Sequence, residues 1–180
     1  MSVHVRRNTH HEKTTDRTTH ALSLQMRQPE ENSAVVPLVS IEWLEERIVK
    51  VYKRPRAQAS DIASAIIEAS QTFNIRWQIL SSMIGAESSF NPDARSFAGA
   101  IGPLQVRPQI WGYLDYDLTN TRQNVMAGAY ILQGYKARCG SWECAIAAYN
   151  VGITNFTRNK KRNAQQRYMA KVSSKMRFWK

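Results

Sequence analysis

Glu87 is the residue of this sequence best placed for acid–base chemistry. It follows Met83 by four positions and Ile84 by three, so at helical spacing its carboxyl group continues an apolar stripe. Burial away from water raises the pKa of a carboxyl group, and a general acid that works near neutral pH needs such a raised pKa. The spacing therefore suits a general acid, although on spacing alone an exposed carboxylate at a helix end is the commoner outcome.

The segment after Glu87 must leave this carboxyl group accessible. Asn91-Pro92 cannot continue a helix, because proline lacks the amide donor and restricts the residue before it. We therefore expect the chain to turn away beyond Glu87 and to open a groove. Further on, Pro103 suits the first turn of a new helix, in which Gln105 would hold its amide free for recognition.

Four short motifs occur in order along the second half of the chain. They read ESSFNPDARS at 87–96, GAIGPLQ at 99–105, AAYNVG at 147–152 and YMAKV at 168–172. Together they resemble the soluble lytic transglycosylase family, the lysozyme-like enzymes that cut the glycan strands of peptidoglycan. The resemblance covers roughly residues 60–175, and several separated motifs in order are more specific than any one alone.

The resemblance implies a role for each matched position. Glu87 would protonate the glycosidic oxygen and then accept the proton of the C6 hydroxyl of N-acetylmuramic acid, which leaves a 1,6-anhydro end. Ser96 would form hydrogen bonds near the catalytic site, Gln105 would contact the sugar, and Tyr149 would lie beside the glutamate. We count Asn150 with the substrate-binding candidates, although its side chain also suits holding a turn.

The hydrophobic pattern predicts a mainly α protein, a lysozyme-like helical domain with a flexible N-terminal arm. We interpret residues 1–38 as a flexible or partner-ordered arm, 39–56 as an accessory helix and 57–180 as the lysozyme-like domain. Trp111 and Tyr113 are expected in a loop that lines the groove or closes the core edge. Helices are predicted to begin after the caps Ser40, Ser60 and Ser141 and at Trp77, and one is predicted to end at Asn74. Two further helices are predicted from Thr121 to Arg138 and around Tyr168 to Met176.

The chain is strongly basic, with a net charge of +11 and a pI near 10.0. Between Arg158 and Lys180 there are nine Lys or Arg residues and no Asp or Glu. Such an end attracts anionic polymers, among which peptidoglycan, DNA and anionic membrane surfaces all qualify.

Cysteine and histidine usage bears on thiol and metal chemistry. Cys139 and Cys144 are spaced so that a disulfide is possible. A catalytic thiol is not expected, because the domain holds no histidine to activate it. The histidines lack the spacing of metal ligands, so we expect no metal and no cofactor; they are His4, His10, His11 and His20.

The start of the sequence bears on delivery. It contains no apolar run that could span a bilayer, and its first residues lack the apolar core of a secretory signal. We therefore expect a phage-encoded virion protein that acts in the host periplasm, with its N-terminal arm bound to virion or tail proteins. Delivery by a secretion apparatus is the alternative. A hydrolytic muramidase, and a virion structural or ejection protein, are the alternative functions.

Overall fold

Eight α-helices and a closing 3₁₀ turn account for most of residues 39–180, the part of the chain that this computed structural model describes. Within that range the β-pairing consists of isolated bridges at Arg95–Ile101 and Ile101–Val106, so the predicted mainly α fold is confirmed. The proposed arm at 1–38 lies outside the described residues. The elements are α1 Ile41–Tyr52, α2 Arg56–Phe73, α3 Trp77–Glu87, α4 Pro108–Trp111, α5 Thr121–Cys139, α6 Trp142–Val151, α7 Ile153–Thr157, α8 Arg162–Met176 and the 3₁₀ turn Arg177–Trp179.

Several helix ends follow from local side-chain chemistry. Ser40 Oγ accepts a hydrogen bond from Trp43 N at 3.1 Å, and Ser141 Oγ accepts one from Cys144 N at 3.1 Å, so both predicted caps are confirmed. Asn74 ends α2 in the left-handed conformation with φ of 49°. These ends are set by residues within four positions, and a sequence pattern can therefore detect them.

The predicted start of α2 after Ser60 is wrong. The helix begins at Arg56, directly after Pro55, whose φ of −53° already suits a helix entry. Ala59 and Ile62 have no exposed surface, so the first turn is held by the core rather than by a side-chain cap. Tertiary burial here outweighs the capping preference of the serine.

α3 lies at the centre of the described domain. Nine of its eleven residues are buried, and it packs against α2, α8 and the 3₁₀ turn. A helix that is buried nearly all round has little freedom to shift, because its side chains interdigitate with neighbours on several sides. The last residue of this helix is Glu87, whose backbone is therefore held in place by the core.

An aromatic cluster joins the two ends of the described chain to α3. Tyr52 of α1 packs on Phe90, with ring centroids 4.5 Å apart, and Trp179 lies 5.6 Å from Phe90. Burial raises the pKa of the Tyr52 phenol to about 12. α1 thus shares the core of the helices that follow it, while the predicted division at residues 39–56 and 57–180 stays a prediction.

The second half of the domain is built on α5, which packs against α2 and α6. A disulfide joins Cys139, at the end of α5, to Cys144 in the first turn of α6, with their Cα atoms 6.0 Å apart. None of the helices between residues 39 and 180 is long and apolar enough to cross a bilayer.

Candidate active site

α3 ends at Glu87, four residues before the Asn91-Pro92 pair that was expected to stop it. Ser89 and Phe90 both have positive φ, 52° and 59°, which turns the chain sharply away. Phe90 has no exposed surface, so its ring anchors this turn in the aromatic cluster. Burial of one side chain therefore ends the helix and leaves Glu87 at its terminus.

The carboxyl group of Glu87 is half-buried at the end of α3. Burial raises its pKa, and this is the largest influence on it. Tyr168 of α8 donates a hydrogen bond to Glu87 Oε1 at 2.7 Å, which lowers the pKa, and the charge of Lys171 lowers it as well. Within the described residues Glu87 Oε2 has no hydrogen-bond partner, so this oxygen is free to hold a proton for a ligand.

Tyr149 of α6 lies close to the carboxyl group of Glu87. Its hydroxyl donates to Leu104 O at 2.9 Å, and its pKa is raised by burial first and then by the charge of Glu87. Gly128 of α5 permits this approach, because a Cβ there would stand 2.9 Å from the Tyr149 hydroxyl and 2.5 Å from Leu104 Cδ1. Helix α6 and the 99–106 loop thus meet beside Glu87.

The loop around Gln105 differs from its prediction. No helix starts at Pro103; instead Ile101 and Val106 pair as a bridge, and Gln105 takes a positive φ of 50°. The Gln105 amide is not free either, since its Nε2 donates to Ala94 O at 3.1 Å and to Gly102 O at 2.9 Å. The amide nitrogen therefore fixes the loop, and the Oε1 atom is the part left for a ligand.

Asn124 holds the same loop from below. It is fully buried on α5, accepts from Leu104 N at 3.0 Å, and donates to Ile101 O at 2.9 Å and Leu118 O at 3.0 Å. Two of these three hydrogen bonds thus hold the backbone of the loop, and the third holds Leu118 beyond it. Asn124 sets the position of the segment that carries Gln105.

Ser96 and Asn150 are both exposed. Ser96 Oγ accepts from Ala100 N at 3.0 Å, which closes the turn between residues 96 and 100. Asn150 lies in the last turn of α6, one position before its end, and its side chain forms no hydrogen bond within residues 39–180. Neither residue has a hydrogen bond to Glu87 in this part of the chain, and their substrate contacts stay predictions.

The aromatic segment after the loop is partly helical. Trp111 ends the short helix α4 and packs against Tyr135, with centroids 6.2 Å apart, so it closes an edge of the core. Tyr113 is 75% exposed. Trp111 thus closes the core edge, as one of the two alternatives predicted. Tyr113 is exposed, and its contact with a ligand in the groove stays a prediction.

A cleft of about 450 Å³ lies elsewhere, between α2 and the start of α5. Its charged groups include Asp61 and an ion pair between Glu68 and Arg122. Glu87 is not part of its lining. Residues 39–180 contain no group of three or more potential metal ligands.

The structure thus brings a half-buried glutamate at a helix end together with Tyr168 and Tyr149 in a helical domain, the arrangement expected from the lysozyme-like resemblance of the sequence motifs. Residues 64–172 match the transglycosylase SLT domain, a span of more than half the chain. The chain therefore belongs to the SLT transglycosylase family. The family consists of lytic transglycosylases whose substrate is peptidoglycan.

Sequence reasoning placed Tyr168 only on the apolar face of α8 and did not assign Lys171 to the site. Both lie more than 80 positions from Glu87, so no local spacing links them to it. The available signal was the YMAKV motif itself, which contains both residues. A tyrosine within a matched motif was a candidate partner for the acid.

Proposed function

We propose that this chain cleaves the β-1,4 bond between N-acetylmuramic acid and N-acetylglucosamine with formation of a 1,6-anhydro end. The observation that carries the proposal concerns the carboxyl group of Glu87. Burial raises its pKa, and only its Oε1 atom accepts a hydrogen bond within residues 39–180, from Tyr168. A single carboxyl group must then serve both proton transfers.

The first step breaks the bond between C1 and the glycosidic oxygen. The raised pKa favours the protonated form of Glu87, whose proton passes to the departing oxygen of N-acetylglucosamine. Tyr168 then stabilises the carboxylate that forms, because its hydroxyl donates to Oε1 at 2.7 Å and remains in place as charge develops. The acetamido oxygen of the substrate can stabilise the positive charge at C1.

The second step forms the anhydro bridge. Glu87, now a carboxylate, accepts the proton of the C6 hydroxyl while that oxygen bonds to C1, so the proton lent in the first step returns and no water is consumed. The charged side chain that influences the pKa of Glu87 is Lys171, not a second carboxylate. A glycosidase with two carboxylates would need the second group beside the first.

The remaining positions would hold the sugar. Tyr149 stands beside the carboxyl group, and Gln105 Oε1 is available on the loop that its own amide nitrogen braces. Ser96 and Asn150 are proposed as further contacts on the strength of the motifs that contain them.

Glu87→Gln tests the assignment. We expect the clearing of purified sacculi to fall by about 10²- to 10⁴-fold, the range that a general acid–base group supplies, with the fold retained. Glu46→Gln is the matched control, because Glu46 is exposed on α1 and the charge change is identical. Clearing by the Glu87 variant at the rate of the Glu46 variant would refute the role of Glu87.

A hydrolytic muramidase is the nearest competing activity, since water could replace the C6 hydroxyl. The masses of the products separate the two activities, because anhydro ends lack one water relative to reducing ends. Delivery by a phage virion, attachment through the arm at 1–38 and a secretion route stay predictions from the sequence.

A further inference from the structure

A row of cations follows α8 on the flank next to Tyr168. Arg167, Lys171 and Lys175 stand four positions apart, so they lie one above another on the helix. Arg167 and Lys171 are exposed, whereas Lys175 is half-buried. Two free cations are thus presented to solvent beside the residue that binds the catalytic carboxyl group.

Lys175 already has a place within the fold. Its Nζ lies 5.9 Å from the ring centroids of both Tyr52 and Phe178, a cation–π arrangement that accounts for its position. Arg167 and Lys171 have no such contact within residues 39–180. They form the part of the row that the packing of the domain does not explain.

Neither exposed cation is neutralised by an acid within residues 39–180. The ion pairs in that range are Arg56–Glu45 and Arg122–Glu68. Like charges four positions apart on a helix repel and destabilise it. The charge of Lys171 lowers the pKa of Glu87, but neither Lys171 nor Arg167 forms an ion pair within residues 39–180, so both can meet an anion that the ligand brings.

The position of Arg167 and Lys171 next to the catalytic carboxyl group indicates which anion they would bind. Lys171 is one turn beyond Tyr168, whose hydroxyl is 2.7 Å from Glu87 Oε1. In peptidoglycan the muramic acid that is cut carries a short stem peptide, joined to its lactyl group by an amide bond. The free carboxylates belong to this peptide. The reaction therefore brings these carboxylates close to Glu87. The proposed reaction does not bring DNA or an anionic membrane to Glu87.

We propose that Arg167 and Lys171 form a subsite for the carboxylates of the stem peptide attached to the muramic acid being cleaved. The proposal rests on the proposed function, because it needs the scissile bond to lie at Glu87. The basic face of α8 would then select glycan strands whose stem peptides carry negative charge.

The test compares two preparations of the same soluble glycan strands, one with free peptide carboxylates and one in which they have been converted to amides. Lys171→Gln, Arg167→Gln and the double variant are measured on both by product chromatography. The control is Arg76→Gln, exposed at the opposite end of α3, about 16 Å from Glu87 along that helix. Each enzyme is compared at its own pH optimum, because loss of the Lys171 charge also raises the pKa of Glu87.

On the carboxylate strands we expect each single variant to raise KM about threefold and the double variant about tenfold, with KM on the amidated strands unchanged. Loss of Lys171 is expected to change kcat on both preparations, because its charge also influences the pKa of Glu87. The difference in KM should fade near 1 M salt, where the Debye length is about 3 Å. The Arg76 control should match wild type on both preparations. The melting temperatures of the Arg167 and Lys171 variants should equal that of wild type or lie slightly above it, because a like-charge repulsion is removed.

Two results would overturn the subsite. An equal rise of KM on both preparations would show that the two cations act independently of the charge of the peptide. Unchanged cleavage, together with weakened binding to a DNA fragment or to vesicles of anionic lipid, would assign the pair to another polyanion. A wild-type enzyme that cleaves neither preparation would instead refute the proposed function, on which the subsite depends.

Discussion

The carboxyl group of Glu87 is subject to opposing influences. Burial raises its pKa most, while the Tyr168 hydrogen bond and the charge of Lys171 lower it. An acid that must give its proton to a leaving oxygen and then accept another proton needs both influences. Burial keeps the proton in place before the reaction, and Tyr168 limits the cost of losing it.

Removing the Tyr168 hydroxyl should disturb this balance in a defined direction. Tyr168→Phe keeps the buried ring and deletes a contact that lowers the pKa of Glu87, so that pKa should rise. We expect kcat to fall roughly tenfold and the alkaline limb of the pH profile of kcat/KM to move to higher pH. Tyr130→Phe, half-exposed on α5, is the control. An unmoved alkaline limb would show that Tyr168 only packs.

The raised pKa of Glu87 also predicts an effect on the stability of the fold. The folded pKa of Glu87 is raised, so between the unfolded and the folded pKa the native state binds more protons and stability falls as pH rises. Glu87→Gln removes this penalty, and Gln can still accept the bond from Tyr168. The variant should unfold with a free energy about 1 kcal/mol higher than wild type at pH 7, and about equal below pH 4.

Chemical denaturation at the two pH values measures this difference. Glu46→Gln should show no such dependence, because that carboxyl group is exposed. A Glu87 variant that is less stable than wild type at pH 7 would mean that the charged form of Glu87 is favoured in the fold, contrary to the burial observed.

At the scale of elements, the loop between 99 and 106 depends on α5. Its backbone is held by two hydrogen bonds with the buried side chain of Asn124, which accepts from Leu104 N and donates to Ile101 O. The loop in turn receives the Tyr149 hydroxyl at Leu104 O and carries Gln105. The site is thus built from three elements, α3, α6 and α8, around a loop braced by a fourth.

Asn124→Ala should damage both stability and activity. It leaves buried backbone groups of the loop without partners, which costs about 1–3 kcal/mol for each group left unsatisfied. We expect the melting temperature to fall by several degrees and KM to rise as Gln105 shifts. Gln133→Ala, exposed on the same helix, is the control. Unchanged KM in the Asn124 variant would separate the loop from substrate binding.

The helices could be predicted more fully than the loop, for a physical reason. Caps such as Ser40 and Ser141 act within one turn, and apolar spacing defines a buried face, so both are visible in the sequence. The positive φ of Gln105 is stabilised by contacts with Ala94 and Gly102 and by Asn124 in another helix. Such tertiary contacts leave no local pattern, and the loop was predicted as a helix.

For the candidate site, the sequence identified the acid but not the residue bound to it. Glu87 was found because its spacing and its motif agree. Tyr168 looked like one apolar position of an amphipathic helix, which is also true of it, since only 6% of its surface is exposed. Its second role depends on α8 packing against α3, a contact across 81 positions.

At the scale of the whole molecule, the ends of the described chain converge on the helix that carries the acid. Arg47 of α1 donates to Phe178 O at 2.7 Å, and Trp179 is 3% exposed against the aromatic cluster. The position of Glu87 therefore depends on α1 and on the C-terminal turn as well as on its neighbours. The net charge of +11 adds a long-range attraction to anionic polymers, of which peptidoglycan is one.

The masses of products formed in water labelled with heavy oxygen test the central claim most directly, that one carboxyl group returns its proton without using water. The account predicts muropeptides whose muramic acid ends are lighter by one water and contain no label. Reducing ends that carry heavy oxygen would contradict it and would assign the chain a hydrolytic mechanism.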